Sequence, residues 1–554
     1  MPSLVLIGID SASLDLILKW KDKLKFFKKM IEEGFYGYLH STTPPLSPAA
    51  WTSIYTGKKP CKTKFYDWLK YVRCPCKESR VRLRSFFDLK EPTIWDIATV
   101  HGLRSAVINA PMTYPPAYIN GAMISGIPAH LYSGYPITYP LELKKELDLL
   151  VDGYEVMPRL DIFRFFEYDL IKRLKNVVEK RGKVIEYMYE KEEWDFFMPV
   201  FFTLDTIQHY FWNYFDENHP LYRKDSLSDI IFYFYKKIDY ILDKFSRKIG
   251  ETNILVISDH GAGPLYGYFL VNRFLASAGF LKTKRTSILK MLSTLIFTMI
   301  EMEEMNFVYN VARMTRIPLV DKLIDKPLIR QIIERFSFFP LMELMSGDFL
   351  EDVEWSRTLA YALGAVGGIF LTRNIPLDKK EKVKELVKKA LKNLKLPSGE
   401  KAKVEFFDSY EGDEAPDLYY SIEDFKYLPI VHLAGWNSRI WEKPMFFTGW
   451  HRPLGIFFAH GPMFKNNKDD KIPVFNIYDI APTVLYALGL PILSDMDGKP
   501  IFKIFTDEAK RKLKARVASP SRYRIARRIY LAKTRIFLKE SLKGDGKSSG
   551  MRVE

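Results

Sequence analysis

Cysteine is nearly absent from this 554-residue chain, which has only Cys61, Cys74 and Cys76. An odd count with one tight Cys-Pro-Cys pair excludes a disulfide framework; reduced thiols are the plain expectation, with a metal knuckle or redox pair as the alternative. Glutamine is scarcer still, at Gln208 and Gln331 only. Beside abundant Lys, Glu, Ile and Tyr, that bias suits a thermophilic source. No apolar run reaches the roughly 18–20 residues that cross a bilayer; the nearest, Ile288–Ile300, is broken by Lys290. The opening MPSLVLIGID has neither a basic segment nor a long apolar one, so it reads as a first β-strand, and a cytoplasmic protein is expected. Internal repeats and low-complexity tracts are missing, apart from a final ten or so residues rich in Gly, Ser and Lys that are expected to be disordered.

What is present is a large capacity to fold. Hydrophobic residues make up 47% of the chain and aromatics 15%, which excludes a disordered protein. The net charge of +16 is unevenly placed: from Lys510 onward fifteen Lys/Arg face three acids, so +12 of it lies there. The basicity belongs to a tail, and the body is nearly balanced.

Short apolar runs at Leu4–Ile9, Ala106–Ile108, Phe197–Thr203, Ile254–Ile257 and Gly455–Ala459 read as buried strands. Helical patterns such as Ile97–His101 and Asp225–Phe245 separate them, which predicts an α/β fold with a largely parallel sheet. Residues 286–345 are rich in Leu, Ile, Met and Phe and read as a helical insert, a possible lid. The strand-like LAYALGAVGGIFLT (359–372), a charged helix Lys379–Leu394 and a β-segment near Lys403–Phe407 predict a smaller α+β lobe. Ile477–Leu488 is a helix stopped by Gly489 and Pro491. The expected organisation is a catalytic core of 1–262 and 352–506, an insert of 263–351, and a basic amphipathic or disordered tail of 507–554.

In such folds reactive groups collect at the carboxyl ends of strands. Here Asp10 follows LVLIGI, Asp205 follows VFFTL, and Asp259-His260 follows ILVIS. Asp205 and His209 are four apart, so a helix there sets both on one face. Gly261 allows a tight reversal after Asp259-His260, and His451 lies just before a strand. Each residue alone has a blander explanation: an N-cap aspartate, a surface pair, a common turn, a packed core histidine. Three aspartates at the ends of three buried strands, with three histidines near them, favour a metal centre. Mixed imidazole and carboxylate ligands suit Zn²⁺ best, with Mn²⁺ or Fe as alternatives. Ser47, between Pro45 and Pro48 and ahead of a helix over Ala49–Tyr55, is either an N-cap or a nucleophile activated at a metal.

The order strand-Asp, Ser-Pro…Thr-Gly, Asp-x-x-x-His, Asp-His-Gly and a distal His resembles the type I phosphodiesterase/nucleotide pyrophosphatase family of the alkaline phosphatase superfamily. Further stretches are similar to its archaeal and bacterial members: PTIWDIATVHG (92–102), NAPMTYPP (109–116), EAPDLYY (414–420) and DIAPTVLYALGLPILSDMDGKP (479–500). The resemblance spans roughly residues 3–262 and 352–502. It implies an alkaline-phosphatase-like fold and hydrolysis of phosphate esters, diester or monoester. It further implies one metal on Asp205, His209 and His451, and a second on Asp10, Asp259 and His260 with Ser47 as nucleophile forming a phospho-enzyme. The formylglycine pattern of sulfatases is missing around Ser47. A membrane-peripheral phosphotransferase or binding protein that reuses the fold is the alternative.

In the tail, Ile525, Ile529, Ala532 and Ile536 share one helical stripe, with Arg524, Arg527, Arg528 and Arg535 largely off it. Such a helix can dock on the body, lie on an anionic membrane, or meet nucleic acid, the least favoured of the three.

Overall fold

In a computed structural model, residues 3–70, 82–129, 135–158, 167–284, 353–408, 412, 414–431, 439–444, 447–466 and 471–544 are described. The core is one nine-stranded sheet with the order Val474–Asn476, Phe35–His40, Leu454–His460, Ile254–Ile257, Leu4–Ile9, Phe196–Phe201, Ser105–Ala110, Gly121–Ser125, Thr138–Tyr139. Its centre is parallel, from Ile254–Ile257 across to Gly121–Ser125. Leu454–His460 runs antiparallel to both of its neighbours.

The central strands have no exposed residue because helices cover both faces of the sheet. Alternate side chains of the first strand divide between the layers. Val5, Ile7 and Ile9 pack into a core with the helices Lys25–Glu33, Thr203–Phe215 and Ile230–Ile249. Leu4 and Leu6 pack into another with Ser47–Thr56, Ile94–Val100 and Ile480–Ala487. The first strand therefore lies mid-sheet and mid-sandwich, which fixes the direction in which the residue directly after it, Asp10, projects.

A smaller lobe follows. Its five-stranded sheet has the order Val404–Phe407, Tyr419–Ile422, Tyr427–Ile430, Gly267–Leu270, Trp441–Glu442. The glycine-rich stretch near 360 is a hairpin, Ala360–Leu363 against Gly368–Leu371. Gly261–Pro264 and Gly267–Leu270 are strands, so the opening of the segment expected as a helical insert belongs to the lobe and to the ribbon that joins it to the core. The expected helical stretch 286–345 lies outside the described residues, as do Cys74, Cys76 and the final ten residues. Among the described residues no helix is long and apolar enough to cross a membrane.

The tail is an ordered helix, Ser521–Gly544, docked on the body. It docks by a face the Ile525 stripe does not predict. Tyr523, Arg527, Leu531, Thr534 and Leu538 are buried, while Ile525, Ile529 and Ile536 are exposed. Arg527 decides the orientation: its guanidinium donates to Asp96 Oδ2 at 3.1 Å and to Leu89 O at 3.0 Å, and lies 4.0 Å over the Phe86 ring.

Candidate active site

All seven residues singled out from the sequence converge. Asp10 directly follows the mid-sheet strand Leu4–Ile9 and is fully buried. The next residue, Ser11, takes a left-handed φ of 64°, which turns the chain so that its N–H donates to Asp259 Oδ1 at 3.2 Å. Asp205 and His209 lie on the helix Thr203–Phe215, one turn apart, with His209 Nε2 3.2 Å from Asp205 Oδ1. Asp259 and His260 follow the strand Ile254–Ile257 and lead into a ribbon, Gly261–Pro264 against Gly449–Arg452. That ribbon pairs Ala262 with His451 and stacks the His260 and His451 rings at 3.8 Å. Gly261 is required by close approach: a Cβ there would sit 2.1 Å from Leu454 O.

Ser47 is the first residue of the helix Ser47–Thr56. The capping position belongs to Leu46, and no side chain caps the helix. The Ser47 hydroxyl instead lies 3.2 Å from His260 Nε2. This geometry removes the N-cap explanation for Ser47 and leaves its hydroxyl aimed at the cluster, beside the positive end of a helix dipole.

The histidines are held alike. His209 Nδ1 is 2.8 Å from Gly449 O, His260 Nδ1 is 3.0 Å from Gly261 O, and His451 Nδ1 is 2.8 Å from Pro45 O. A carbonyl can only accept, so each proton is assigned to Nδ1 and each Nε2 lone pair points inward. The Nε2 atoms of His209 and His451 are consequently 3.1 Å apart with no proton between them in this tautomer.

The carboxylates carry a matching deficit. Asp10 Oδ1, Asp205 Oδ1 and Asp259 Oδ2 are buried without a hydrogen-bond partner. Burial first, and then the charges of Asp259 and Asp205, push the Asp10 carboxyl well above the ordinary carboxylate range. Burial likewise raises Asp259, opposed by His260. For Asp205, burial would raise the carboxyl, and it is the protonated forms of His209 and His451 that would hold it well below the usual range. Burial, with His260 beside it, drives His451 down to about 3, so its ring is neutral.

Inward lone pairs and unpartnered carboxylate oxygens in one water-poor site are the donor set of divalent cations. Two groups have ligand atoms all within 4.8 Å of one another: Asp205 with His260 and His451, and Asp10 with Asp259 and His260. His260 belongs to both, and His209 joins the first through Asp205 and His451. The residues fit divalent-cation binding.

Three supporting residues escape a reading of the sequence. Trp51, one turn beyond Ser47, donates its indole N–H to Asp10 Oδ2 at 2.7 Å. Gln208, one of the two glutamines, donates to Ser11 O at 2.9 Å and accepts from Tyr235, tying the strand end to the Thr203–Phe215 helix. Trp450 stacks on His451 at 4.6 Å. For Trp51 the signal was its four-residue spacing from Ser47; for the others the partners lie in distant segments.

A family model described as type I phosphodiesterase / nucleotide pyrophosphatase matches residues 4–440. The match includes Asp10, Ser47, Asp205, His209, Asp259 and His260 and ends short of His451, which the ribbon supplies. No curated protein matches the chain. Among solved structures it is similar to human ectonucleotide pyrophosphatase/phosphodiesterase 5, at 12% identity and a TM-score of 0.44, covering 90% of this chain and 97% of that one. It is also similar to an inactive variant of the murine protein in complex with AMP, at 11% identity and a TM-score of 0.46, covering 91% and 98% respectively. Matched by its family model over most of its length, the chain belongs to the type I phosphodiesterase/nucleotide pyrophosphatase family.

Proposed function

We propose that this chain, a phosphodiester hydrolase by family, cleaves its substrate by double displacement with Ser47 as nucleophile. The observation that carries the reading is the Ser47 hydroxyl, 3.2 Å from His260 Nε2 among three buried carboxylates that each leave an oxygen unpartnered. Asp205, His209 and His451 would hold one divalent cation; Asp10, Asp259 and His260, with Ser47, would hold a second. Zn²⁺ suits these donors best, with Mn²⁺ or Fe as alternatives. When bound, the pair supplies Lewis-acid stabilisation of charge on the phosphoryl, attacking and leaving oxygens.

The chain supplies the rest. Ser47 Oγ, deprotonated, bonds to phosphorus as the bond to the leaving oxygen breaks. Water then cleaves the Oγ–P bond and restores the hydroxyl. The Ser47–Thr56 helix directs its N-terminal N–H groups and dipole toward the phosphate, an arrangement suited to an anion. Trp450, which stacks on His451, also lines a small cleft with Phe407, Tyr419, Phe425 and Tyr427.

Turnover of bis-p-nitrophenyl phosphate and p-nitrophenyl phosphate with added Zn²⁺ or Mn²⁺, measured beside metal content, tests the proposal. Wild type is expected to cleave the diester, and Ser47→Ala to lose about 10³-fold or more of that rate while keeping its metals. A Ser47→Ala protein with near-normal turnover would remove Ser47 from the role.

A further inference from the structure

The docked face of the Ser521–Gly544 helix leaves its opposite face without a partner among the described residues. Ile525, Ile529 and Ile536 are 58%, 49% and 57% exposed, although large aliphatic side chains are ordinarily buried. At about 100° per residue the three fall within about 40° of one another, opposite Tyr523, Arg527 and Thr534. Exposed cations flank them on both sides: Arg528, Arg535 and Lys539 along one edge, Arg522 and Lys533 along the other. Glu540 is the only acid in the helix.

We infer that this outward face lies on the surface of an anionic bilayer, with the three isoleucines inserted below the headgroups and the flanking cations reaching lipid phosphates. A cation-edged apolar stripe is the pattern of an interfacial helix, because Lys and Arg stems lie along the apolar boundary while their heads meet the anionic surface. The other occupants fit less well. A second copy would bring a +12 segment against a +12 segment. A nucleic acid would satisfy the cations and leave the isoleucines in water.

The helix is also mounted to carry a load. Besides Arg527 on Asp96, Arg524 pairs with Glu91 at 3.1 Å and Asp495 at 2.5 Å. The fully buried Lys58 meets the same two carboxylates. Tyr523 meets His101 at 2.9 Å, and Thr534 accepts from Tyr118 N at 2.9 Å. Membrane contact would therefore fix the orientation of the whole catalytic body and would not merely tether a loose tail.

The test is co-sedimentation of the full chain with vesicles of phosphatidylcholine alone and of phosphatidylcholine mixed with phosphatidylserine. Wild type is expected to pellet with the mixed vesicles and to stay in solution with the neutral ones. The combined substitution Ile525→Ser, Ile529→Ser and Ile536→Ser should lower the bound fraction about tenfold. Arg528→Gln with Arg535→Gln and Lys539→Gln should lower it comparably. Both variants should keep the wild-type diester turnover and a melting temperature close to that of wild type, since these side chains are exposed and, among the described residues, only Arg535, 5.1 Å over the Phe87 ring, reaches the body. The inference is overturned if wild type ignores anionic vesicles, or if the serine variant pellets as well as wild type. It also fails if wild type retards RNA while ignoring vesicles, or sediments as a dimer that the serine variant breaks.

Discussion

The Trp51 indole N–H donates to Asp10 Oδ2 at 2.7 Å, joining the helix that begins with Ser47 to the strand end that carries a candidate metal ligand. One carboxylate oxygen is thereby occupied, and Oδ1 is left for the cluster. The contact is built in from both sides. Gly8 in the strand has no side chain because a Cβ there would lie 2.5 Å from Trp51 Cη2. Trp51→Phe keeps the packing and deletes the donor. Losing a hydrogen bond behind a metal ligand typically weakens affinity by about 10–100-fold. Calorimetric titration of the metal-free protein with Zn²⁺ should show one weakened site and one unchanged; two unchanged sites would confine Trp51 to packing.

Stripping metal is expected to destabilise the fold as well as silence it. Three buried carboxylates left to repel one another favour opening, and a cation that binds only the folded chain adds RT ln(1 + [M]/Kd), about 2.7 kcal/mol at a hundredfold excess over Kd. The melting temperature should fall after dialysis against a chelator and rise again with Zn²⁺ or Mn²⁺, read by circular dichroism without any substrate. A melt indifferent to chelation would deny the cluster its cations.

Much of this centre was legible in the sequence, for a physical reason. Strands buried on both faces are written as unbroken apolar runs, so Asp10, Asp205 and Asp259 stood out as polar residues at their ends. The Asp205–His209 pair followed from helical periodicity. Ser47 was not decidable locally, since a cap and a nucleophile demand the same residue ahead of a helix; Leu46 in the capping position excludes the cap. The antiparallel course of Leu454–His460, and the ribbon that delivers His451, depend on pairing across nearly two hundred residues and leave no local trace. Docking of the tail was among the options the sequence offered, but its docked face was not legible, because hydropathy alone ranks Ile525 above Arg527, whereas Asp96 and two backbone carbonyls make the arginine the buried residue.

That buried arginine carries its own prediction. Arg527 is fully buried against Asp96, and deleting one partner of such a pair typically costs about 3–5 kcal/mol because the other charge is left uncompensated. Arg527→Met should lower the melting temperature and expose the Ser521–Gly544 helix to limited proteolysis. The surviving folded fraction should turn over a small diester at the wild-type rate, since neither residue belongs to the metal cluster.

Asp239 provides a pH-dependent contrast away from the site. On the helix Ile230–Ile249 it accepts from Phe27 N at 3.0 Å, and burial pushes its carboxyl from 3.8 up to about 6. A carboxyl raised in the folded state adds stability that is full below pH 4 and is lost as pH climbs through 6. That loss amounts to at most about 3 kcal/mol at 1.36 kcal/mol per pH unit. Asp239→Asn keeps an acceptor for Phe27 without the charge. Urea unfolding should show the variant gaining on wild type between pH 4 and 7, and a difference that stays flat across that range would contradict the assignment.

In the proposed mechanism the phosphoryl group passes through an oxygen of the chain, Ser47 Oγ. Each in-line displacement inverts phosphorus, so two in succession restore its configuration. Hydrolysis of a diester made chiral at phosphorus with sulfur and oxygen isotopes, followed by stereochemical analysis of the product, reads this directly. Net retention is expected; net inversion would show that water attacks the substrate in a single step and that Ser47 forms no bond to phosphorus.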